Sequence, residues 1–364
     1  MIEKYLKSEE KIIVALRSLY SKYGYLPYKM NKFEEYDLYA KNKDFLVGDG
    51  IITFTDTNGK LLALKPDVTL SIIKNASDAR GIKNKVYYNE NVYRISGNTR
   101  EFEEIMQMGL ECIGDIDLYD MYETLCLAMK TLNTVSSDYV LEISHMGILS
   151  ALLNSISAND NFKSEIAECI KKKSAHEISA ICQKYGVDDE KAQMLSSFVG
   201  IYGSPKSVFE RLDSFKANNE LELAVNELKS LIKMLEGTED FDNIRIDFSI
   251  VNDMNYYNGI VFNGFIKGIF ESVLFGGRYD KLLEKMGKTS SGVGFAIYTN
   301  LLEKICFDKK EYDVDMLILY SDKSDLNKVQ KAVDTFISEG KSVSAQKSIP
   351  KKLRYKELIN MEAK

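Results

Sequence analysis

The stretch from Arg245 to Leu302 constrains the fold more than any other, because its hydrophobic period changes several times around bare glycines. Alternating polar and apolar residues over Ile244–Ile250 and Gly259–Phe265 predict antiparallel strands with one buried face. Val273-Leu274-Phe275 continues as an apolar run expected to stop at Gly276-Gly277, where the missing Cβ atoms let backbone approach a ligand. From Tyr279 the spacing turns helical (Tyr279, Leu282, Leu283, Met286), and Gly294-Phe295-Ala296-Ile297 predicts a strand leading into a helix at Leu301–Cys306. A floor of strands with Tyr256, Tyr257 and a glycine pair facing one side suits a pocket for a small polar ligand. For any one fragment alone, a sheet core closed by tight turns is the simpler reading.

A chain of 364 residues holds two or three domains with substantial cores. Its net charge of −6, with no block of Lys and Arg, argues against a phosphate-tracking surface. No apolar run reaches membrane-spanning length, and Met1–Glu10 carry no apolar signal core. Cys112, Cys126, Cys169, Cys182 and Cys306 are odd in number and share no C-x-x-C spacing, which points to reduced thiols and a cytoplasmic location. With His145 and His176 as the only histidines, neither a zinc site nor another cofactor is expected. His145 reads as a local hydrogen-bonding residue, and Lys171-Lys172-Lys173 as a solvated helix face.

Along the chain, Ser8–Tyr23 predicts an amphipathic helix ended by Gly24. Phe33–Tyr39 reads as extended or helical. Thr57-Asn58-Gly59 between Ile51–Asp56 and Lys60–Leu64 is a strong hairpin signal. Pro66 ends the second arm, and a helix follows over Val68–Lys74. Lys85–Tyr93 predicts a strand, Ile95–Glu104 a loop, and Ile105–Gly114 a returning strand with Gln107, Gly109 and Glu111 on one face. A helix over Leu118–Leu132 and a strand over Tyr139–Ser144 come next. Residues 1–145 thus predict the first part of a core, and 146–240 an inserted helical subdomain. The core resumes over 241–306, and 313–364 forms a small α/β unit with strands at Val314–Tyr320 and Lys341–Ala345, a helix at Asp325–Glu339 and a basic tail from Lys347.

Three groups of residues resemble the histidyl-tRNA synthetase family, whose fold is the class II aminoacyl-tRNA synthetase one. Leu64-Lys65-Pro66-Asp67-Val68-Thr69 is similar to the family's Leu-Arg-Pro-(Asp/Glu)-x-Thr. Asn91-Val92-Tyr93-Arg94 with Gln107-Met108-Gly109-Leu110-Glu111 resembles the second class II motif. Tyr256-Tyr257-Asn258-Gly259-Ile260-Val261-Phe262 with Gly276-Gly277-Arg278-Tyr279-Asp280 resembles the signature of the histidine branch. Within that family the chain looks more like the paralogue serving as regulatory subunit of ATP phosphoribosyltransferase. The resemblance covers most of residues 1–305 and implies an α+β fold, an antiparallel sheet of six or more strands flanked by helices.

Activating an amino acid builds negative charge on ATP phosphates, which fixed cations must meet. The resemblance retains the second-motif arginine as Arg94. Asn252 and Leu301 stand where the family has arginines, so the chain is not expected to be a working synthetase. The amino-acid half of the family's pocket is better kept. The resemblance makes Glu111 the acceptor for a ligand imidazole, with Tyr257 and Tyr279 near the same ring. It places Asp67, Thr69 and Gln107 about the α-ammonium, and makes Tyr256 and Gly277 further members of the histidine site. Asn252 removes a cation that would hold the α-carboxylate, so either the affinity is low or another cation helps, from Arg278, Arg94 or a partner protein. Relic residues bonded to one another in a closed core are the alternative.

The expectation is a non-catalytic regulatory subunit that activates the catalytic subunit of short-form ATP phosphoribosyltransferase and mediates feedback by L-histidine. The resemblance further implies self-association as a dimer, and its shortened C-terminal unit implies no tRNA partner. An active histidyl-tRNA synthetase, or a partner-binding paralogue indifferent to histidine, are the competing readings.

Overall fold

Local sequence explains the first elements of the computed structural model, which describes residues 6–43, 46, 50–96, 99–213, 215, 218–251, 256–302 and 311–361. Ser8–Lys22 (α1) buries Leu16 and Tyr20, and Gly24 follows at φ +81°, a left-handed conformation glycine adopts without strain. Beyond Leu26–Pro27 (β1), the strands Phe33–Glu35 (β2), Thr53–Thr55 (β3) and Leu61–Leu64 (β4) form a small antiparallel sheet in the order β2-β4-β3. Phe33–Tyr39 is extended and then helical, since Tyr36–Ala40 (α2) follows β2 directly. The β3–β4 hairpin forms as expected, with Asp56 Oδ1 accepting the Asn58 and Lys60 amides, both at 2.8 Å.

Thr69–Asn75 (α3) leads to a long hairpin of Asn84–Ile95 (β5) and Phe102–Gly114 (β6). Both strands reach further into the predicted loop, leaving residues 96–101 between them. Leu118–Val135 (α4) starts at a capping box in which Asp117 accepts the Tyr119 and Asp120 amides. Tyr139–His145 (β7) is followed by helices Met146–Ile156 (α5), Asp160–Lys171 (α6), Ala175–Lys184 (α7) and Asp189–Val199 (α8). The short strand Tyr202–Gly203 (β8) separates these from Pro205–Leu212 (α9) and Asn219–Leu235 (α10). Ile244–Asp247 (β9), Ile260–Ile266 (β10), Leu274–Arg278 (β11), Asp280–Lys285 (α11), Ser291–Tyr298 (β12) and Thr299–Leu302 (α12) complete this part.

Among the described residues, nine strands form one sheet in the order β1-β5-β6-β12-β11-β10-β7-β9-β8. It is mixed: β1 runs parallel to β5 and β9 parallel to β7, while the central pairs are antiparallel. The expectation for Ile244–Ile250 and Gly259–Phe265 is corrected here. β7 lies between β9 and β10, and β10 buries Ile260, Val261, Phe262 and Ile266 on both faces rather than one. Helices cover it, and α4 places Leu132 where Gly264 leaves room. Buried residues of α5–α10, such as Leu149, Phe162, Leu195 and Leu231, share one apolar cluster with Ile143, Phe262 and Phe295 of the sheet.

The glycine pair also corrects its expectation, because β11 runs straight through Gly276 and Gly277. A Cβ on Gly276 would lie 2.5 Å from Phe262 Cζ, and one on Gly277 2.7 Å from the Tyr257 ring. The space vacated by the missing side chains is filled by neighbouring aromatics rather than left for a ligand.

Contacts divide the chain into two compact units, Met1–Cys306 and Phe307–Lys364. In the second, Val314–Leu319 (β13) pairs in parallel with Val343–Gln346 (β14) on one side and Tyr355–Asn360 (β15) on the other, with Leu326–Ser338 (α13) preceding β14. The basic tail therefore contains a strand. Its mostly exposed residues hid it, because alternation is weak where neither face is deeply buried.

Candidate ligand-binding site

The β4–α3 junction is where the site begins. Lys65 is 1% exposed and forms an ion pair with Glu90 of β5, while its carbonyl accepts the Tyr93 amide at 2.9 Å. These contacts fasten the junction to the long hairpin. Pro66 then ends the strand, and Asp67 Oδ1 accepts the Leu70 amide at 2.8 Å, closing the first turn of α3. Arg94 of β5 donates through Nε to the Pro66 carbonyl at 3.0 Å and through Nη1 to the Tyr298 hydroxyl at 3.3 Å.

On β6, Glu111 is 3% exposed. Thr69 Oγ1 donates to its Oε1 at 2.8 Å, and the Tyr279 hydroxyl to its Oε2 at 2.5 Å. Burial pushes the Glu111 carboxyl up to about 8, against the pull of both hydroxyls and with a small push from Asp67. Burial likewise raises the Asp67 carboxyl, which the Leu70 amide and Arg94 lower only in part. Asp67 is half-buried, its free surface facing the cavity. Burial also raises the phenols of Tyr88, Tyr256, Tyr257 and Tyr279. Tyr256 packs on Tyr257 with ring centroids 4.5 Å apart and on Tyr279 at 6.0 Å.

These groups line a cavity of about 400 Å³. It brings together Asp67, Thr69, Arg94, Gln107, Glu111, Tyr256, Tyr257 and Tyr279. Gly277 does not line it and instead lies beneath the Tyr257 ring. Sequence reasoning missed Tyr88, Phe275, Gly294, Ala296 and Tyr298 as lining residues. Register supplies them: Tyr88 faces Gly109 across β5–β6, and Gly294 faces Glu111 across β6–β12. A side chain at Gly294 would overlap the Glu111 carboxylate, so a glycine here is what allows the acid to lie against the sheet.

Among the described lining residues Arg94 is the one cation, against the carboxylates of Asp67 and Glu111. Arg278 does not reach the cavity; its Nε donates to Asp280 at 2.8 Å and its Nη1 lies 4.0 Å from Glu227. Its expected role in replacing a carboxylate-binding arginine is thereby corrected. Asn252 lies outside the described residues, and Leu301 is half-buried against the main core. His145 is buried, with Nε2 3.7 Å from Glu227 Oε1, and neither ring nitrogen has a hydrogen-bond partner among the described residues. Its imidazole, with help from Arg278, holds the Glu227 carboxyl below its ordinary value, in keeping with a local polar role. No group of three or more His, Cys, Asp or Glu among the described residues is placed to hold a metal, and no described helix is long and apolar enough to cross a membrane.

A helix-flanked sheet with a polar cavity of this kind is the class II aminoacyl-tRNA synthetase-like fold. The chain belongs to the histidyl-tRNA synthetase family, which it matches over residues 2–302. Curated relatives carry the name ATP phosphoribosyltransferase regulatory subunit. That of Oceanobacillus iheyensis is 27% identical over 81% of this chain and 73% of its own length, and that of Clostridium acetobutylicum 26% over 90% and 82%. In fold, the chain is similar to an ATP phosphoribosyltransferase regulatory subunit/histidyl-tRNA synthetase from Bacillus halodurans, with a TM-score of 0.81 at 20% identity, covering 98% of this chain and 94% of that one. It is also similar to a chain of the ATP phosphoribosyl transferase (HisG:HisZ) complex from Thermotoga maritima, with a TM-score of 0.64 at 20% identity, covering 80% and 97%.

Proposed function

We propose that this chain is a non-catalytic regulatory subunit that binds the catalytic subunit of short-form ATP phosphoribosyltransferase, activates it, and carries feedback inhibition by L-histidine. The observation that carries this reading is the polar balance of the cavity: among the described lining residues, one guanidinium stands against the half-buried Asp67 and the buried Glu111. A triphosphate and its transition state demand several cations, each worth on the order of a hundredfold in rate. An amino acid with an ammonium group and an imidazole demands acceptors, which Asp67, Glu111 and the hydroxyls around them supply. Leu301 and Asn252, standing where the family has arginines, point the same way. The relatives' shared name supports the partner.

Feedback requires that histidine bind one state of the complex better than another, since a ligand moves an equilibrium only through differential affinity. Self-association as a dimer follows from the same reading and is checked by sedimentation. The test of function is co-purification with the short-form catalytic subunit from the same genome. Phosphoribosyl transfer to ATP should depend on this chain and fall when histidine is added. A catalytic subunit indifferent to the chain would refute the proposal, and histidine-dependent pyrophosphate exchange by the chain alone would favour the synthetase instead.

A further inference from the structure

Two of the cavity's tyrosines stand on backbone that is held from behind the sheet. Tyr279 lies between Arg278 and Asp280, and the Asp280 carboxylate gathers that turn. It accepts Arg278 Nε at 2.8 Å, Asn258 Nδ2 at 2.9 Å and the Gly292 amide at 3.1 Å. The Asp280 amide in turn donates to Asn258 Oδ1 at 2.9 Å. Asn258 directly follows Tyr257, and its amide donates to the Arg278 carbonyl at 3.2 Å. One cluster of bonds around Asp280 therefore places both Tyr257 and Tyr279.

Phe275 lines the cavity, so alternation along β11 puts Gly276 and Arg278 on the opposite face of the sheet. There Arg278 Nη1 lies 3.9 Å from Met121 Sδ of α4 and meets α10, with Glu227 Oε1 at 4.0 Å. The same oxygen is 3.7 Å from His145 Nε2. His145 ends β7 opposite Ile260, and the amide of the next residue, Met146, donates to the Gly259 carbonyl at 2.8 Å. Gly147 admits this approach, since a Cβ there would lie 2.9 Å from His145 Cε1 and 3.4 Å from Ala224 Cβ of α10. A single carboxylate of the inserted helices thus faces the two junctions from which Tyr257 and Tyr279 project. Glu227 Oε1 and both His145 ring nitrogens are buried with no hydrogen-bond partner among the described residues. Buried polar atoms in that state are costly, so a small shift of α10 that closes either contact is favoured and one that opens them is opposed.

We propose that Glu227 is a positioning residue: through Arg278 and His145 it makes the seat of α10 set the places of Tyr279 and Tyr257, so that the inserted helices and the cavity are coupled. The inference rests on the reading of the cavity as a ligand site and adds to it a physical route from that site to a surface helix. Coupling of this kind is reciprocal. A partner that moved α10 would change ligand affinity by the factor by which the ligand changes the partner's.

The experiment is residue-resolved hydrogen exchange of the full chain, without ligand, for the parent, Glu227→Gln and Gly147→Ala. Gln keeps the length of the side chain and removes its charge, whereas Ala at 147 pushes between His145 and α10 without touching the acid. In both variants the Asp280 and Gly292 amides, bonded to Asn258 and Asp280, should exchange several-fold faster, and amides of the β5–β6 hairpin should not change. Calorimetry with L-histidine reads the effect on the site. Glu227→Gln should weaken binding about fivefold, the low end of ordinary coupling, and should cost nothing further in an Asp280→Asn background, where the route is already cut. Unchanged exchange at Asp280 and Gly292 in both variants would overturn the proposal. Acceleration spread evenly into the β5–β6 hairpin would do the same, because it reports lost stability alone. Faster local exchange with histidine affinity unaltered would also overturn it, because the tyrosines would then not depend on α10. A parent that binds no histidine, with exchange behaving as expected, would overturn the histidine reading and support the coupling of α10 to Tyr279.

Discussion

Replacing Gly294 with alanine tests whether the Glu111 carboxylate is held where the cavity needs it. The added Cβ would overlap Glu111 Oε2 and crowd the Leu110 carbonyl oxygen, both well inside the 3.0 Å that real Cβ atoms keep. The carbonyl belongs to the β6–β12 pairing, in which Gly294 faces Glu111, so backbone cannot yield without breaking that ladder. The carboxylate has to move by an ångström or more, which carries it away from Thr69 and Tyr279. Losing two short side-chain hydrogen bonds costs about 1 kcal/mol each, and overpacking adds about 1–3 kcal/mol. A loss of about 3–5 kcal/mol is expected, a large share of an ordinary domain's stability. Urea denaturation of the parent, Gly294→Ala, Glu111→Ala and the double variant measures it. Removing the carboxylate relieves most of the overlap, so the double variant should be more stable than additivity predicts by about 2 kcal/mol. Costs that add within about 0.5 kcal/mol, or a Gly294→Ala protein as stable as its parent, would show that the acid does not rest on that glycine.

Other expectations follow from the same contacts. Lys65→Met strands Glu90 beside a buried apolar side chain and should cost about 3 kcal/mol, while Lys65→Met with Glu90→Leu should recover most of it, both read by denaturation. Since the Glu111 carboxyl is raised from 4.5 to about 8, the folded chain holds a proton that the unfolded chain releases, and Asp67 is shifted in the same sense. Stability without ligand should therefore fall as pH rises from about 5 to 8 and then level off, with Glu111→Gln flattening most of the decline; a rise over that range would contradict the assignment. Asp78 behaves oppositely. Held at about 2 mainly by the Thr289 amide, with Ser290 assisting, it contributes above its unfolded value near 3.8 and loses that contribution as pH falls toward 2. Asp78→Asn should speed hydrogen exchange at the Thr289 and Ser290 amides at pH 6, by progressively less as pH falls toward 2.

What could be read from sequence was whatever local pattern determines. The β3–β4 hairpin follows from Thr57-Asn58-Gly59, and α3 from the proline that precedes it. Alternation along β6 placed Gln107 and Glu111 on one face, and both line the cavity. What escaped depends on which strand lies beside which. Tyr88, Gly294 and Tyr298 reach the cavity only because β5 and β12 flank β6 in a particular register, and nothing within those strands encodes their neighbours. The glycine pair shows the same divide. Its tolerance of close approach was legible at Gly276 and Gly277, but the identity of the approaching group was not, and it proved to be Phe262 and Tyr257. The parallel pairing of β9 with β7 has no local signature either, since alternation reads alike in both directions.

Charge sets what the cavity can favour. Arg94 is already engaged by the Pro66 carbonyl and the Tyr298 hydroxyl, and Arg278 is turned to Asp280 and Glu227. Arg94, with two of its five N–H donors so engaged, is then the one guanidinium among the described lining residues left to meet an anion. The acids, by contrast, are costly to leave buried: desolvation raises both Asp67 and Glu111, and each would be relieved by a cationic, donor-rich guest. Under the proposed function, binding that guest would convert an electrostatic penalty of the empty protein into affinity. In that reading, filling the site would reach a partner only if the two states of the complex differ in how well they close around Glu111.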